Sequence, residues 1–417
     1  MKKVKMALIG AGQRGMDSYA PYALKNPNQV EFVAVAEPDA IRRNKFKEAH
    51  GISDDMTFGS WEELLEQPKF ADAILIATQD QMHLEPTVKA LRSGYHVLLE
   101  KPMSNNLEEC IELAKTAEET GKVLAICHVL RYTNFFETIK KILDSGKIGR
   151  LITIRHSEYV CYWHQAHSFV RGNWGNKEKS SPMILAKSCH DMDILSWLAG
   201  ADCKKVSSFG DRYHFRKEDA PEGAPMRCTD GCPAEKECPY FAPNQYLTDK
   251  ITWPTSVISE DMSFEGRMKA LQEGPYGRCV YHCDNDVVDN QIVNLEFENG
   301  VTASFIMTAF TTDGDREMRI MGTNGDIRAS MHKNTLEIMT FNNGNKEIIE
   351  VSSGGDMHGG GDYGLFADFI EVVREDGKKV GKTTVAASLQ SHLMAFGAEK
   401  SRVEGRTIEL EELTSSK

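Results

Sequence analysis

The sequence predicts two domains of different class: an α/β domain over residues 1–130 on a parallel sheet, and an α+β domain over residues 131–417 on a large antiparallel sheet. Three observations predict this. Short, almost wholly apolar runs alternate with amphipathic stretches in the first third, which suits strands buried on both faces of a parallel sheet. Asn-Gly pairs, the strongest short hairpin signal, punctuate β-type runs later in the chain. At 417 residues the chain is too long for one ordinary core.

"VKMALIG" from Val4 is the first expected strand; its apolar run is too short for a signal peptide and is cut by Gly10 and Gly12. "VEFVAVAEPD", "ADAILIATQD", "HVLLEKP" and "KVLAICHVL" are expected to follow as strands. A helix is expected from Ser104 to about Thr120, capped by Asn105 with Glu108 three residues on, and stopped by Gly121. Beyond Arg131, hairpins are expected at Asn299-Gly300, Asn324-Gly325 and Asn343-Gly344, where both residues of each pair accept positive φ. Such a sheet keeps one face for its own helices and leaves the other to a ligand or a second subunit. A polar insertion rich in Pro, Gly and Cys occupies about 211–283, and "HGGGDYGLFADFIEVV" leads into helices running to about Val403.

The chain is 41% hydrophobic and 26% charged with a formal net charge of -12, which argues against nucleic-acid and anionic-membrane partners. No 18 apolar residues run together, so no membrane span is expected. A cytoplasmic protein follows, with its ten cysteines reduced or metal-bound instead of disulfide-paired.

"GAGQRG" places Gly10, Gly12 and Gly15 at the spacing of a dinucleotide fingerprint, with Gln13 and Arg14 in the same loop, directly after the first strand. Glu37 ends the second strand, where a carboxylate accepts from an adenosine ribose hydroxyl. It would repel a 2'-phosphate, so NAD is expected over NADP, with Arg42 and Arg43 keeping NADP open. Further on, "MILAKSCHDMDIL" sets Lys187, His190 and Asp193 at i, i+3 and i+6 of one helix, a polar face suited to a cleft. Cys228, Cys232, Cys238, Cys279 and Cys283 crowd an insertion that reads as lacking a core of its own. A structural metal such as zinc, or an iron-sulfur cluster, stands there against plain thiols or disulfides, because ligation would replace missing burial.

"GAGQRG", "LLEKP" (Leu98 to Pro102), "HDMDILSWLAG" and "RIMGTNGDI" together resemble the Gfo/Idh/MocA superfamily over nearly the whole length. The resemblance implies a nicotinamide-binding Rossmann domain, an open-faced sheet domain, an active site in the cleft between them, and a homodimer or homotetramer. Members typically oxidise a secondary hydroxyl of a sugar, cyclitol or related compound; an NAD-dependent glycoside hydrolase is the alternative, and a cofactor-binding sensor without turnover a third. Carried across, Lys101 contacts the reacting hydroxyl and the nicotinamide ribose, beside Glu100 and held by a cis or strained peptide before Pro102. His190 is the second catalytic group. Where many members carry Asp four residues before this histidine, this chain has Ala186, so Lys187 is expected to orient or donate a proton. Thr78, Gln79 and His83 are expected near the cofactor. Arg131, Tyr132, Tyr159, Tyr162, Trp163, His164, His167, Trp174, Asp193 and His358 are candidates for the substrate side.

Overall fold

The computed structural model describes residues 2–342, 344–354 and 358–415. Six strands, β1 (Val4–Ile9), β2 (Val30–Ala36), β3 (Thr57–Phe58), β4 (Ala73–Ile76), β5 (His96–Leu99) and β6 (Leu124–Ile126), form a sheet in the order β3-β2-β1-β4-β5-β6. Every pair is parallel. All four residues of β4 and of β5 are buried, as strands covered on both faces require; β4 is wholly apolar, and β5 is apolar after His96. Strand order reverses between β1 and β4, which opens a crevice at the carboxyl ends of those two strands.

The expected helix at 104–120 begins two residues past its expected cap. It spans Leu107–Thr120, with the Asn106 side chain accepting from Glu109 N and Gly121 closing it at φ 61°. Asn105 instead donates to Ser180 O at 2.6 Å and ties this loop to the second domain. Although it lies far along the chain, the helix Gly361–Arg374 completes the first domain: Leu365, Phe366, Phe369 and Ile370 pack with Val4, Leu8, Tyr19 and Phe32.

The second sheet has nine strands: β7 (Leu151–Tyr159), β8 (Cys203–Asp211), β9 (Asn290–Phe297), β10 (Thr302–Thr308), β11 (Asp315–Gly322), β12 (Gly325–Ser330), β13 (Thr335–Thr340), β14 (Lys346–Glu350) and β15 (Ile408–Glu409). Their order is β14-β13-β12-β11-β7-β10-β9-β8-β15. The sheet is mixed, because β7 and β10 are parallel. β10 and β11 run in opposite directions and β7 lies between them, so β7 must be parallel to one of the two. Along β9 buried and exposed residues alternate strictly from Gln291 to Phe297. The buried face carries the core and is covered by the helices Cys189–Ala199 and Val385–Glu404.

The hairpin turns differ in mechanism from the expected Asn-Gly type. Only the glycine of Asn299-Gly300 takes positive φ, 81°, and neither residue of Asn324-Gly325 does. Gly325 is required by space instead, since a Cβ there would lie 2.4 Å from Met339 O. Asn343 lies outside the described residues. The insertion also has cores that its composition hid: Phe215, Tyr240, Val280 and Tyr281 form one cluster, and Cys228, Ala242, Tyr246 and Leu271 another. Among the described residues no helix is long and apolar enough to cross a membrane.

Candidate active site

The crevice at the end of β1 is shaped by the glycine fingerprint. Gly10 adopts φ 91° and a Cβ on it would meet Ala77 O at 2.6 Å, while one on Gly15 would meet Gly10 O at 2.4 Å. A Cβ on Gly12, in contrast, meets nothing within 4 Å, so this is where backbone can come close to a ligand. Glu37 ends β2 beside the loop: its carboxylate accepts from Ala11 N at 2.8 Å and Asp39 N at 3.0 Å. Each oxygen keeps a further lone pair for a ribose hydroxyl. Open backbone at Gly12, an adjacent carboxylate and a chain reversal at the strand ends fit a dinucleotide.

Arg14 has a different task from the expected contact with cofactor. Its guanidinium bonds Glu100 Oε1 at 2.6 Å, Asp362 Oδ1 at 2.9 Å, Ser18 Oγ at 2.9 Å and the Tyr19 hydroxyl. Tyr19 in turn donates to Glu100 at 2.7 Å, and Lys101 N donates to the other Glu100 oxygen at 2.8 Å. Burial pushes the Glu100 carboxyl up, but the charges of Arg14 and Lys101 bring it below its ordinary value. Arg14 and Glu100 therefore clamp the fingerprint loop, the Glu-Lys-Pro segment and the helix Gly361–Arg374 together.

The Lys101-Pro102 peptide is cis, and Lys101 Nζ donates to Ala186 O at 2.8 Å, so the Rossmann domain reaches the second domain through this lysine. The segment it reaches is broken: helix Met183–Ala186 ends, Lys187 and Ser188 intervene, and Cys189–Ala199 begins. Its polar side chains consequently go to separate partners instead of sharing one face. Lys187 pairs with Glu158 of β7 at 3.2 Å. Asp191 takes Arg316 at 2.8 Å and His156 at 2.7 Å. Asp193 accepts two bonds of 2.7 Å from Arg131.

His190 remains. It is 6% exposed, lies 6.2 Å ring to ring from His358, and has a buried Nδ1 without a partner. Burial first, then the positive charge of Lys101, holds its imidazole well below the usual 6.5, so it is neutral and able to accept a proton. On the far side, Arg316 also pairs with Glu158 at 2.6 Å, its directly opposite residue across β7 and β11. Burial raises the Asp191 carboxyl, yet Arg316 and His156 more than reverse this and keep it ionised.

The remaining candidates scatter. His83 is fully buried and spans Pro102 O at 2.8 Å and Thr78 O at 3.3 Å, so it braces the strand-end loops and turns no nitrogen to a cofactor. Thr78 Oγ1 bonds Met82 O at 3.4 Å. Gln79 joins Arg171, Asn176 and Arg278 around a polar cavity of about 620 Å³, where the insertion roofs the crevice. Arg131 and Asp193 are 5% and 1% exposed and occupied with each other, which removes them from the substrate side. Tyr132 bonds Asp368 at 2.8 Å. Tyr159 hydroxyl bonds Glu317 at 3.2 Å, and Trp163, His164 and Trp253 form a ring cluster. Burial and the Lys187 charge hold His164 well below its usual value. His167 stacks on Tyr276 and bonds the Tyr246 hydroxyl at 2.8 Å inside the insertion. Trp174 packs at the surface against Phe169.

Of the readings left open for the cysteines, the structure holds free thiols. All ten cysteines are free, and among the described residues no group of three or more His, Cys, Asp or Glu is arranged to hold a metal ion. Cys228, Cys232, Cys238 and Cys279 border one tight apolar space shared with Arg171, and Cys228 and Cys279 are core members of the insertion. They pack as small hydrophobes, and burial pushes the Cys279 thiol up to about 11. The sequence points to neither Glu158 nor His156 nor Arg316, and it sets Asp191 beside His190 without a role of its own. A signal existed for the first two: in "LITIRHSEY" they lie two apart, on one face of a strand.

Residues 4–128 match the oxidoreductase family with an NAD-binding Rossmann fold, and residues 136–328 match the GFO/IDH/MocA C-terminal domain. The oxidoreductase YteT of Bacillus subtilis (strain 168) is 24% identical over 350 residues, 79% of either chain. A 1,5-anhydro-D-fructose reductase of Ensifer adhaerens is 30% identical over 195 residues, 46% of this chain and 56% of that one. A 2,7-anhydro-N-acetylneuraminate hydratase of Mediterraneibacter gnavus is 24% identical over 210 residues, 50% and 53% of the two chains. The chain thus spans about half the length of these last two relatives. An oxidoreductase from Agrobacterium radiobacter, solved with NAD+, L-tartaric acid and magnesium, superposes with a TM-score of 0.72 at 17% identity, covering 99% of this chain and 100% of that one, a likeness of fold. With both family domains matched in order along the chain, the protein belongs to the Gfo/Idh/MocA family of NAD(P)-dependent oxidoreductases.

Proposed function

We propose that the protein is a dehydrogenase that oxidises a secondary hydroxyl of a sugar, cyclitol or sugar derivative, with NAD favoured over NADP. The observation that carries this reading is the bond from Lys101 Nζ to Ala186 O, which brings the Glu-Lys-Pro segment to the helix start where neutral His190 lies. Gly12 offers backbone to the pyrophosphate, and Glu37 accepts from the adenosine ribose and repels a 2'-phosphate. When bound, nicotinamide supplies the hydride acceptor. Lys101 fixes the substrate hydroxyl by donating to its oxygen, and His190 takes the hydroxyl proton as the C-H bond breaks. Lys187 stands on the sheet side of that site, anchored by Glu158, and orients a neighbouring hydroxyl.

Purified protein with NAD, offered free sugars, cyclitols and aryl glycosides, tests this through the near-ultraviolet absorbance of NADH. Growth of NADH with a free polyol or sugar is the expected result. The second reading, transient oxidation followed by elimination as in an NAD-dependent glycoside hydrolase, is favoured by the hydratase relative and by Tyr159, a candidate proton acceptor whose hydroxyl bonds Glu317. Aglycone release without net NADH would establish it in place of the first.

A further inference from the structure

Neither nicotinamide binding nor proton transfer uses the polar cavity of about 620 Å³ beside the crevice. One wall is Gln79 and Gln81, past the carboxyl end of β4; the insertion and the segment 170–179 form the rest. Asp80, between those glutamines, accepts from Ser180 Oγ at 3.2 Å and Ser181 Oγ at 2.8 Å. These serines lead into the helix Met183–Ala186, whose Ala186 O takes Lys101, so the cavity adjoins the reacting groups through one short segment. Its charge is contrary to that of a protein with a formal net charge of -12: Arg171, Lys179, Arg227 and Arg278 line it against only Glu273 and Asp284. Asp284 is shared, by Lys179 at 2.7 Å and Arg278 at 2.8 Å. Arg171 bonds Arg278 O at 2.7 Å and Tyr240 O at 2.6 Å, Arg227 bonds Leu271 O at 2.7 Å and Gly274 O, and among the described residues neither has an ionic partner. Arg171 is 1% exposed, and a guanidinium at that depth without a counter-charge is costly.

The sequence repeats Arg-Cys at 227–228 and 278–279, and these segments pair antiparallel with Arg227 opposite Arg278. The flanking bonds, Cys228 N to Gly277 O and Cys279 N to Met226 O, are both 2.9 Å. They make the arginines a non-hydrogen-bonded pair, whose side chains stand closest together on one face. The cysteines pack on the other face, in the tight apolar space. Like charges directly opposite each other repel, so this pairing is unfavourable until an anion joins it.

We propose that this cavity is an oxyanion subsite that holds the carboxylate or phosphate of an acidic sugar or cyclitol, at the end remote from the hydroxyl being oxidised. The assignment rests on the dehydrogenase reading and names its substrate class. Arg227 commits Nε and Nη2 to carbonyls, which leaves both N-H groups of Nη1 for the oxyanion. Lys179, whose side chain is 70% exposed, has donors beyond the one it gives Asp284. Arg278 and buried Arg171 add fixed positive charge behind them, and a guanidinium fork suits a carboxylate or phosphate better than a lone hydroxyl.

The test uses full-length protein with NAD. Initial rates of NADH formation are compared for glucose with glucuronate and glucose 6-phosphate, galactose with galacturonate, and myo-inositol with its monophosphate. On the scaffold that reacts, the acidic member should exceed its neutral partner at least about 10-fold in kcat/KM, mostly through KM, and the preference should shrink as salt rises. Arg227→Gln should narrow the preference about 10- to 100-fold, as loss of charge-assisted bonds implies, and Arg227→Lys should restore part of it. Lys179→Gln gives the same readouts if Arg227→Gln does not fold. Calorimetric titration with inorganic phosphate, with NAD present to fill the nucleotide crevice, reads the cavity without turnover; Arg227→Gln should bind phosphate at least about 10-fold more weakly than wild type. Equal kcat/KM for neutral and acidic members, or an acidic preference unchanged in both variants, would overturn the proposal. Phosphate binding beside turnover of neutral sugars alone would overturn it too, since the ligand would then be a free anion. The dehydrogenase reading fails separately: no NADH from any sugar or cyclitol, beside phosphate binding that Arg227→Gln weakens, removes the reaction and keeps the oxyanion site.

Discussion

Arg131→Met tests whether the helix Cys189–Ala199 is held by charge. Methionine keeps most of the length and apolar volume, so little cavity is created, but both 2.7 Å bonds to Asp193 and the 2.9 Å bond to Lys382 O are lost. Asp193 is then a carboxylate at 1% exposure without its cation. Breaking a buried pair from one side costs about 3–5 kcal/mol. The pH dependence follows from Asp193 itself, whose carboxyl burial already holds above its ordinary value despite Arg131. Without Arg131 it rises further, and a carboxyl that binds its proton more tightly folded than unfolded loses stability as pH rises from about 4 to its folded pKa. The deficit should therefore be smaller near pH 5 than near pH 8, changing by up to about 1.4 kcal/mol per pH unit inside that window. Urea midpoints for wild type, Arg131→Met and the double variant with Asp193→Leu measure it; the double variant should regain most of the loss, since an apolar pair of similar volume replaces a buried ion pair without penalty. A single variant within about 1 kcal/mol of wild type near pH 8, or a double variant no better than the single, would refute the reasoning.

Lys101→Ala should lower kcat/KM by at least about 10²- to 10⁴-fold while NAD affinity changes little; initial rates within threefold of wild type would remove its role. Gly15→Ala, with its Cβ 2.4 Å from Gly10 O, should destabilise the protein by about 1–3 kcal/mol, whereas Gly12→Ala, with nothing within 4 Å, should melt like wild type and bind NADH more weakly. Melting curves and NADH titrations of the two variants separate packing from recognition. Because His190 is held well below 6.5, the protonated, inactive form accumulates only at lower pH, so the acid limb of kcat should fall below about pH 6.5; a limb at or above that value would contradict a neutral imidazole.

Strands β1, β2, β4 and β5 and the glycine turn were legible because each rests on local constraints: two-sided burial makes the runs predominantly apolar, with Lys5, Glu31 and His96 at or near their starts, and the turn tolerates no Cβ at Gly10 or Gly15. What was not legible is partnership at long range. The apolar stripe of Gly361–Arg374 shows an amphipathic helix, yet nothing in it names the Rossmann core as its seat. The residue types at Arg14 and Asp193 suit a cofactor and a substrate equally well, and only the fold reveals that Glu100 and Arg131 already occupy them. The insertion read as coreless because Phe215, Tyr240, Tyr246 and Tyr281 are scattered through polar sequence and meet only on folding.

The segment Met183–Ala199 puts an ammonium, an imidazole and two carboxylates where an apolar helix would be expected because it is the junction of both domains. Lys101 arrives from the Glu-Lys-Pro loop, Arg131 from the crossover, and Glu158, His156 and Arg316 from the sheet; they meet Ala186, Asp193 and Lys187 singly and Asp191 as a pair. The Lys101 bond that docks the Rossmann domain, together with the bonds that hold this segment on the sheet, thus sets the distance from Lys101 to His190. A substitution here that loosens docking must also move the reacting groups, and a shift of even one ångström at such a site carries a large rate penalty. Stability and rate should fall together for Arg131, Asp191 and Arg316, and part company at His190, which alone among these groups faces the cleft without an ionic partner.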